Sequence, residues 1–264
     1  MTELAIIKVG GKVLEKTESL NQFIRQVAEI PGKKLIIHGG GVLADQLLRK
    51  QGIEPQMLNG RRVTDEETLE TVIMAYGGLI NKKVVAKLVG NKVRAVGLTG
   101  ADGLIAESVK RPAKPVDYGF AGDIININTE LLLTLLVADF VPVIAPLSMT
   151  AEGQILNTNA DTIATQLAIN LAKDYQVNLI YGFEIDGVMR DIKQPDTLIN
   201  RLDRRRFQKL LTEGIIHSGM VPKLDNAFQS VEYTSRTIIT HFDNIKQAIA
   251  GENDRFTEII NPDD

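Results

Sequence analysis

Residues 34–48 read Lys34-Leu35-Ile36-Ile37-His38-Gly39-Gly40-Gly41-Val42-Leu43-Ala44-Asp45-Gln46-Leu47-Leu48. The apolar run 35–37 has the length and the branched side chains of a buried strand. Apolar residues then recur at helical spacing, at Val42, Leu43, Leu47 and Leu48. Between the two lie three glycines. Such a turn bares backbone N–H groups at a helix N-terminus, where the helix dipole favours an anion. Glycine also lets the backbone approach a ligand with no Cβ in the way. A tight turn with no ligand would read the same way, so the stretch defines a fold unit first.

Residues 4–9 form a second apolar run, and it stops at Gly10-Gly11. Helices are expected over 19–29 and from the glycine turn to about residue 50, followed by a loop over 52–62 that holds Pro55 and Gly60. Thr64-Asp65-Glu66-Glu67 has the capping-box form. It predicts a helical stretch toward Ile80, then another helix over 82–89 and a strand over 94–99. Residues 100–127 are rich in glycine and proline, with short strand-like pieces at 104–109 and 123–127, and read as an antiparallel excursion on the sheet edge. A helix over 130–138 and a strand over 141–145 follow.

After a turn at Glu152-Gly153, Asn157-Thr158-Asn159-Ala160-Asp161 leads into an apolar-faced helix. Later strands are expected at 178–181, 237–240 and 257–260. Later helices are expected at 203–211, at 222–233 with Pro222 in its first turn, and at 244–250. The alternation predicts an α/β sandwich on a mainly parallel sheet, helices covering both faces. Ligands bind such sheets at the carboxyl ends of strands. Lys8, Gly10, Gly11, Gly39, Gly40, Gly41, Asn157 and residues 184–187 all follow strands, so they should share one edge.

The bulk properties narrow the function classes. The 264 residues suit one large α/β domain or two small ones. A net charge of −3 gives no reason to expect a nucleic-acid partner. The chain has no cysteine, which excludes disulfides, thiolate metal sites and a cysteine nucleophile, and suits a cytoplasmic protein. No leader pattern opens the chain. The most apolar stretch, 131–147, is broken by Asp139, Pro142 and Pro146, so no membrane span is expected.

Common nucleotide motifs do not fit. Gly39-x-Gly41-x-x-Ala44 matches a dinucleotide fingerprint, but no acid-terminated strand follows about 20 residues on. There is no P-loop, no protein-kinase signature and no G-x-S-x-G elbow. His38, His217 and His241 are scattered, and no zinc set forms. Phosphate chemistry by another loop is what remains.

Five short motifs occur in order: Ile7-Lys8-Val9-Gly10-Gly11, His38-Gly39-Gly40-Gly41, Asn59-Gly60-Arg61-Arg62-Val63-Thr64, Asn157-Thr158-Asn159-Ala160-Asp161 and Gly219-Met220-Val221-Pro222-Lys223. Each alone is weak. Together they resemble the N-acetylglutamate kinases of the amino-acid kinase family, a resemblance that runs from Lys8 to about Ile260. The resemblance implies a three-layer αβα sandwich, here a single domain. Its N-lobe, about 1–172, would bind the acyl amino acid and dimerise, and its C-lobe, about 173–264, would bind ATP. It also implies phosphorylation of the side-chain carboxylate of an N-acylated glutamate in arginine synthesis, with Mg2+ carried by the nucleotide and no dedicated metal site.

An acceptor carboxylate is already ionised near neutral pH, so it needs no general base. The obstacle is charge, and the site needs cations and N–H donors. By the resemblance, Lys8 and Lys223 stabilise the transferring phosphoryl group and Asp161 orients both. Gly10, Gly11, Gly40 and Gly41 supply N–H groups. Arg62 grips the substrate α-carboxylate, a task suited to a guanidinium fork. Asn157 contacts the substrate, and the neighbouring Arg61 is expected in solvent.

Glu184, Ile185, Asp186 and Gly187 align with one nucleotide-contacting segment, and Ile215, Ile216 and His217 with another. Phe183 stands where the family has a small polar residue. Glu184 and Ser218 also depart from its pattern. Solvated lysines and a turn asparagine remain the bland alternatives.

Only seven residues precede Lys8, too few for the N-terminal helix of the arginine-inhibited hexameric relatives. A feedback-insensitive homodimer is therefore implied. N-succinylglutamate as acceptor, or a non-catalytic ligand sensor on the same fold, are the competing readings.

Overall fold

Strands buried on both faces are near-continuous apolar runs, and those runs build the centre of this molecule. The computed structural model describes residues 1–58, 60–191, 193–216 and 220–261. The first half runs β1 (Glu3–Val9), α1 (Gly11–Glu15), α2 (Thr17–Glu29), β2 (Lys33–His38), α3 (Gly41–Lys50), β3 (Met57–Leu58), β4 (Arg61–Arg62), α4 (Glu66–Ile73), a π-helical stretch (Met74–Ile80) and α5 (Asn81–Gly90). Next come β5 (Ala95–Thr99), β6 (Ala106–Lys110), β7 (Gly122–Ile127), α6 (Glu130–Val137), β8 (Val141–Ala145), β9 (Leu147–Met149), β10 (Ile155–Asn157) and α7 (Ala160–Leu171). The chain continues through β11 (Gln176–Phe183), β12 (Arg201–Leu202), α8 (Arg204–Thr212), α9 (Val221–Ser230), β13 (Arg236–His241), α10 (Ile245–Ala250) and β14 (Phe256–Ile259).

The main sheet has eight strands in the order β12-β14-β13-β11-β1-β2-β8-β5. From β13 to β5 all neighbours pair parallel. β14 pairs antiparallel to β13. A core cluster lies on each face: Leu4 and Ile6 of β1 belong to one, and Ala5, Ile7 and Val9 to the other. Side chains alternate along a strand. Lys8 therefore shares the face of Leu4 and Ile6, the face that Ile163, Ala164 and Leu167 of α7 cover. This alternation aims the lysine at the N-terminal end of α7.

Several details differ from expectation. The loop expected over 52–62 contains the small β3–β4 hairpin, with Met57 opposite Arg62. The two helices expected between 64 and 89 join through the π-helical stretch. The cap of α4 is Asp65, whose carboxylate accepts from Thr68 N, rather than Thr64. The hydroxyl of Thr64 is engaged elsewhere, donating to Arg62 O at 3.2 Å. The 100–127 excursion is antiparallel, as β6 and β7, but it joins β9 and β10 in a separate four-stranded sheet and not the main sheet's edge. The short strands β9, β10 and β12 and the one-turn α1 carry too few residues to leave a periodic signature. Among the described residues, no helix is long and apolar enough to cross a membrane.

Candidate active site

β1 and β2 run parallel in register, with Val9 opposite His38. Both glycine junctions therefore leave the sheet side by side. Gly39 N donates to Val9 O at 2.9 Å. A Cβ on Gly11 would lie 2.9 Å from Gly40 N, and one on Gly39 would lie 2.9 Å from Gly11 N. Two turns can touch this closely only as glycine. Gly40 is also covered from above, since a Cβ there would meet Ile80 Cδ1 at 2.5 Å and the Tyr76 ring at 2.6 Å.

Gly11 and Gly41 are the first residues of α1 and α3, so their amides have no acceptor within the helix. Gly10 differs from expectation. Its amide donates to Gly182 O at 3.2 Å, so it is not a free phosphate donor. Its place in the turn stands, but the amide is occupied by the sheet.

Lys8 is 5% exposed, and its Nζ lies 2.7 Å from Asp161 Oδ1. Asp161 sits in the first turn of α7, where the helix dipole favours an acid. Asn159 caps that helix, accepting from Asp161 N at 2.7 Å and Thr162 N at 3.1 Å. Lys8 Nζ also stands 5.0 Å from the centroid of the Phe183 ring, and Lys223 Nζ stands 4.1 Å from the same centroid. The two lysines, 215 positions apart in sequence, thus meet at one edge of the sheet. Burial lowers the Lys223 pKa below the ordinary lysine value, Lys8 and then Lys12 lower it further, and Asp161 opposes them.

Beside this pair opens a cavity of about 210 Å3 whose lining includes Gly40, Gly41, Arg62, Tyr76, Asn157 and Asp161. Arg62 is buried, with Nη1 2.6 Å from Asp45 Oδ1 and Nη2 donating to Gly41 O at 3.1 Å. Those contacts fix the plane of the guanidinium and leave other N–H groups for a ligand. Tyr76 lies beside the same guanidinium; burial raises the pKa of its hydroxyl, and Arg62 opposes that rise. Asn157 donates through Nδ2 to Thr64 Oγ1 at 3.0 Å, which ties β10 to the chain beside Arg62. Arg61, expected in solvent, is exposed but also lines the cavity, as does Arg111. The opening is therefore cationic and rich in amide donors, a setting for an anion.

The segment after β11 lies at the same carboxyl edge of the sheet. Asp186 pairs with Arg255 at 3.0 Å, and Gly187 has φ 158° with Thr257 Oγ1 2.5 Å from the site of its missing Cβ. Glu184 is exposed, while Ile185 and Ile215 pack half-buried against one core cluster. Ile216 is 5% exposed within that cluster, so its side chain packs inward. His217, Ser218 and Gly219 lie outside the described residues, as does Asn59.

Sequence reasoning passed over Asp45, Tyr76 and Arg111. Asp45 had a usable signal: it lies four residues after Gly41 in α3, hence on the same helix face. Tyr76 and Arg111 had none, because they reach the cavity only through the folding of the π-helical stretch and the small sheet.

A parallel sheet of this order, two apposed glycine turns and a lysine pair beside an anion-suited cavity define a small-molecule phosphotransferase. The chain belongs to the amino acid kinase family, whose model matches residues 3–241. It is 48% identical over 239 residues to the acetylglutamate kinase of Phocaeicola vulgatus, covering 90% of this chain and 93% of that one. It is 47% identical over 248 residues to the acetylglutamate kinase of Parabacteroides distasonis, covering 94% and 97%. Its fold matches the crystal structure of smu.665 from Streptococcus mutans UA159 with a TM-score of 0.76 and 26% identity, over 90% of this chain and 94% of that one.

Proposed function

We propose that the protein transfers the γ-phosphoryl group of ATP to the side-chain carboxylate of N-acetyl-L-glutamate, an early step of arginine biosynthesis. A carboxylate oxygen attacks the γ-phosphorus. The bond from that phosphorus to the β,γ-bridging oxygen breaks, ADP leaves with the electron pair, and an acyl phosphate forms. No proton moves, because the carboxylate is already ionised at neutral pH. The observation that carries this reading is the gathering of Lys8 and Lys223 at one ring beside Asp161, which lines the cavity together with Arg62 and the glycine turn of residues 39–41.

In this reading Lys8 and Lys223 offset the charge that builds up on the equatorial phosphoryl oxygens. Phosphoryl transfer is accelerated chiefly by such preorganised cations and donors, together with positioning of the reactants. Asp161 holds Lys8 in place and is not a base. Gly40 and Gly41 offer amides to the acceptor, Arg62 grips its α-carboxylate, and Asn157 contacts its amide or carboxylate. Gly11, with residues 184–187 and 215–216, faces the nucleotide. The acid at the site, Asp161, is held by Lys8, so these side chains suit phosphate oxygens better than a cation. Mg2+ would arrive bound to the nucleotide and would supply neutralising charge to its phosphates.

The acyl amino acid belongs to the lobe of about residues 1–172 and the nucleotide to that of about 173–264. The protein works as a cytoplasmic homodimer and needs no nucleic acid or membrane. An ADP-release assay with acetylglutamate, succinylglutamate and free glutamate side by side tests the acceptor. The acetylated compound should give the highest kcat/KM. Preference for the succinylated one, or no turnover with any, would overturn the assignment.

A further inference from the structure

We propose that Phe183 is a positioning residue whose aromatic face holds the ammonium groups of Lys8 and Lys223 together at the point of transfer. This rests on the phosphoryl-transfer reading above. Two ammonium groups on one sheet edge repel each other, and only Lys8 has the Asp161 carboxylate within ion-pair distance. The negative face of an aromatic ring attracts a cation within about 6 Å of its centroid, more strongly once water is excluded. Both Nζ atoms fall inside that distance of one ring, at 5.0 and 4.1 Å, and the ring is 7% exposed.

The ring is itself braced. It stacks on Tyr181, with centroids 6.3 Å apart and planes 14° apart. The Tyr181 hydroxyl lies 2.8 Å from Thr165 Oγ1, which is fully buried. The same Thr165 oxygen lies 2.9 Å from Asp161 O and 3.2 Å from Asn226 O. Its single proton serves one carbonyl at a time while its oxygen accepts from Tyr181. One hydroxyl thus ties together α7 with Asp161, β11 with the aromatic pair, and α9 with Lys223. Phe183 is set relative to both lysines by packing and does not depend on a bound substrate to find its place.

The charged groups that act on Lys223 are Lys8 from β1, Asp161 from α7 and Lys12 from α1. Without the ring, the ammonium of Lys223 faces, among the described residues, two cations and one carboxylate, an excess of positive charge. It should then lose its proton at a lower pH.

The test compares Phe183→Leu, which keeps an apolar side chain and removes the aromatic face, with Phe183→Tyr, which restores it. In Phe183→Leu, kcat should fall about tenfold with KM for either substrate changed less than about twofold. The alkaline limb of its kcat–pH profile should move to lower pH, and Phe183→Tyr should return both to the wild-type position. Unchanged kcat and pH limb in Phe183→Leu would overturn the proposal. So would a loss of kcat in Phe183→Leu with the pH limb unmoved, which would mean that the ring only packs, or a loss that Phe183→Tyr does not restore. Turnover is not the only readout. An NMR titration of isotopically labelled Lys223, without substrates, should show the earlier deprotonation in Phe183→Leu even if the acceptor were another acid, and an unshifted titration would refute the platform independently of the assigned reaction.

Discussion

The ammonium groups of Lys8 and Lys223 stand over the same ring, that of Phe183, at 5.0 and 4.1 Å from its centroid. Two strand and helix ends from opposite halves of the chain are thereby brought to one point. Removing either charge should strike the transition state more than the ground state, because charge on the phosphoryl oxygens is greatest during transfer. Lys8→Ala and Lys223→Ala are each expected to lower kcat by about a hundredfold or more while KM moves far less. Steady-state kinetics at saturating ATP check this, and a wild-type kcat in either variant would remove that lysine from the reaction.

The pH dependence follows from the burial of Lys223. Its pKa is lowered, by desolvation first and by Lys8 second, so its ammonium is lost below the ordinary lysine range. Activity that needs the ammonium is complete well below that lowered pKa and declines as pH rises through it. Lys223→Arg keeps its charge at any accessible pH. If Lys223 sets the alkaline limb, that limb should be absent from whatever activity the arginine variant retains. A limb in the same place would assign it to another group.

Arg62 should act on binding. Its guanidinium is oriented by Asp45 at 2.6 Å and by Gly41 O at 3.1 Å. Arg62→Ala is expected to raise KM for the acyl amino acid, with KM for ATP near wild type, since only the acceptor carries the α-carboxylate. Asp45→Asn keeps the shape and removes the charge, so it should produce a smaller change in the same direction. An Arg62→Ala variant whose ATP KM alone rises would place Arg62 at the wrong substrate.

Much of this was legible in the chain itself. The alternation of apolar runs with helical spacing revealed the parallel sheet, and runs of two and three glycines at two strand ends marked the edge that matters. Lys8 could be placed there because it is the last but one residue of a strand. What stayed hidden depends on contacts across the fold. The two-residue β3 and β4 and the three-residue β9 and β10 are set by pairing and not by their own composition. The carbonyl of Gly182 takes the Gly10 amide only once β11 lies beside β1. Asp45 and Tyr76 matter through Arg62; helical spacing from Gly41 could have pointed to Asp45, but no pattern around Tyr76 says so.

His38 gives a stability test that is independent of activity. It is fully buried, its Nδ1 3.0 Å from Gly39 O and its Nε2 3.2 Å from Asn81 Nδ2. Burial lowers its pKa from 6.5 to about 4. A histidine with a depressed folded pKa leaves stability whole above the unfolded value and erodes it as pH falls toward the folded one. Between pH 7 and about 4, linkage assigns this residue a loss on the order of 3 kcal/mol. Denaturant melts of wild type and His38→Gln across that window should converge as pH falls. Parallel curves would mean that His38 does not titrate with folding.

Gly40 tests the contact between its turn and the π-helical stretch that covers it. Gly40→Ala would drive a methyl group into Ile80 and Tyr76, and overpacking of this kind costs about 1–3 kcal/mol. A lower Tm together with a raised KM for the acceptor is expected, and an alanine variant with unchanged Tm would show that the covering residues yield freely.

The most direct measurement is chemical trapping of the product. Enzyme, ATP, Mg2+ and N-acetylglutamate are incubated with hydroxylamine, which converts an acyl phosphate to a hydroxamate. Hydroxamate should accumulate in step with ADP and vanish in Lys8→Ala and Lys223→Ala. ADP formed by the wild-type protein without hydroxamate, or no ADP at all, would contradict phosphoryl transfer to a carboxylate at this site.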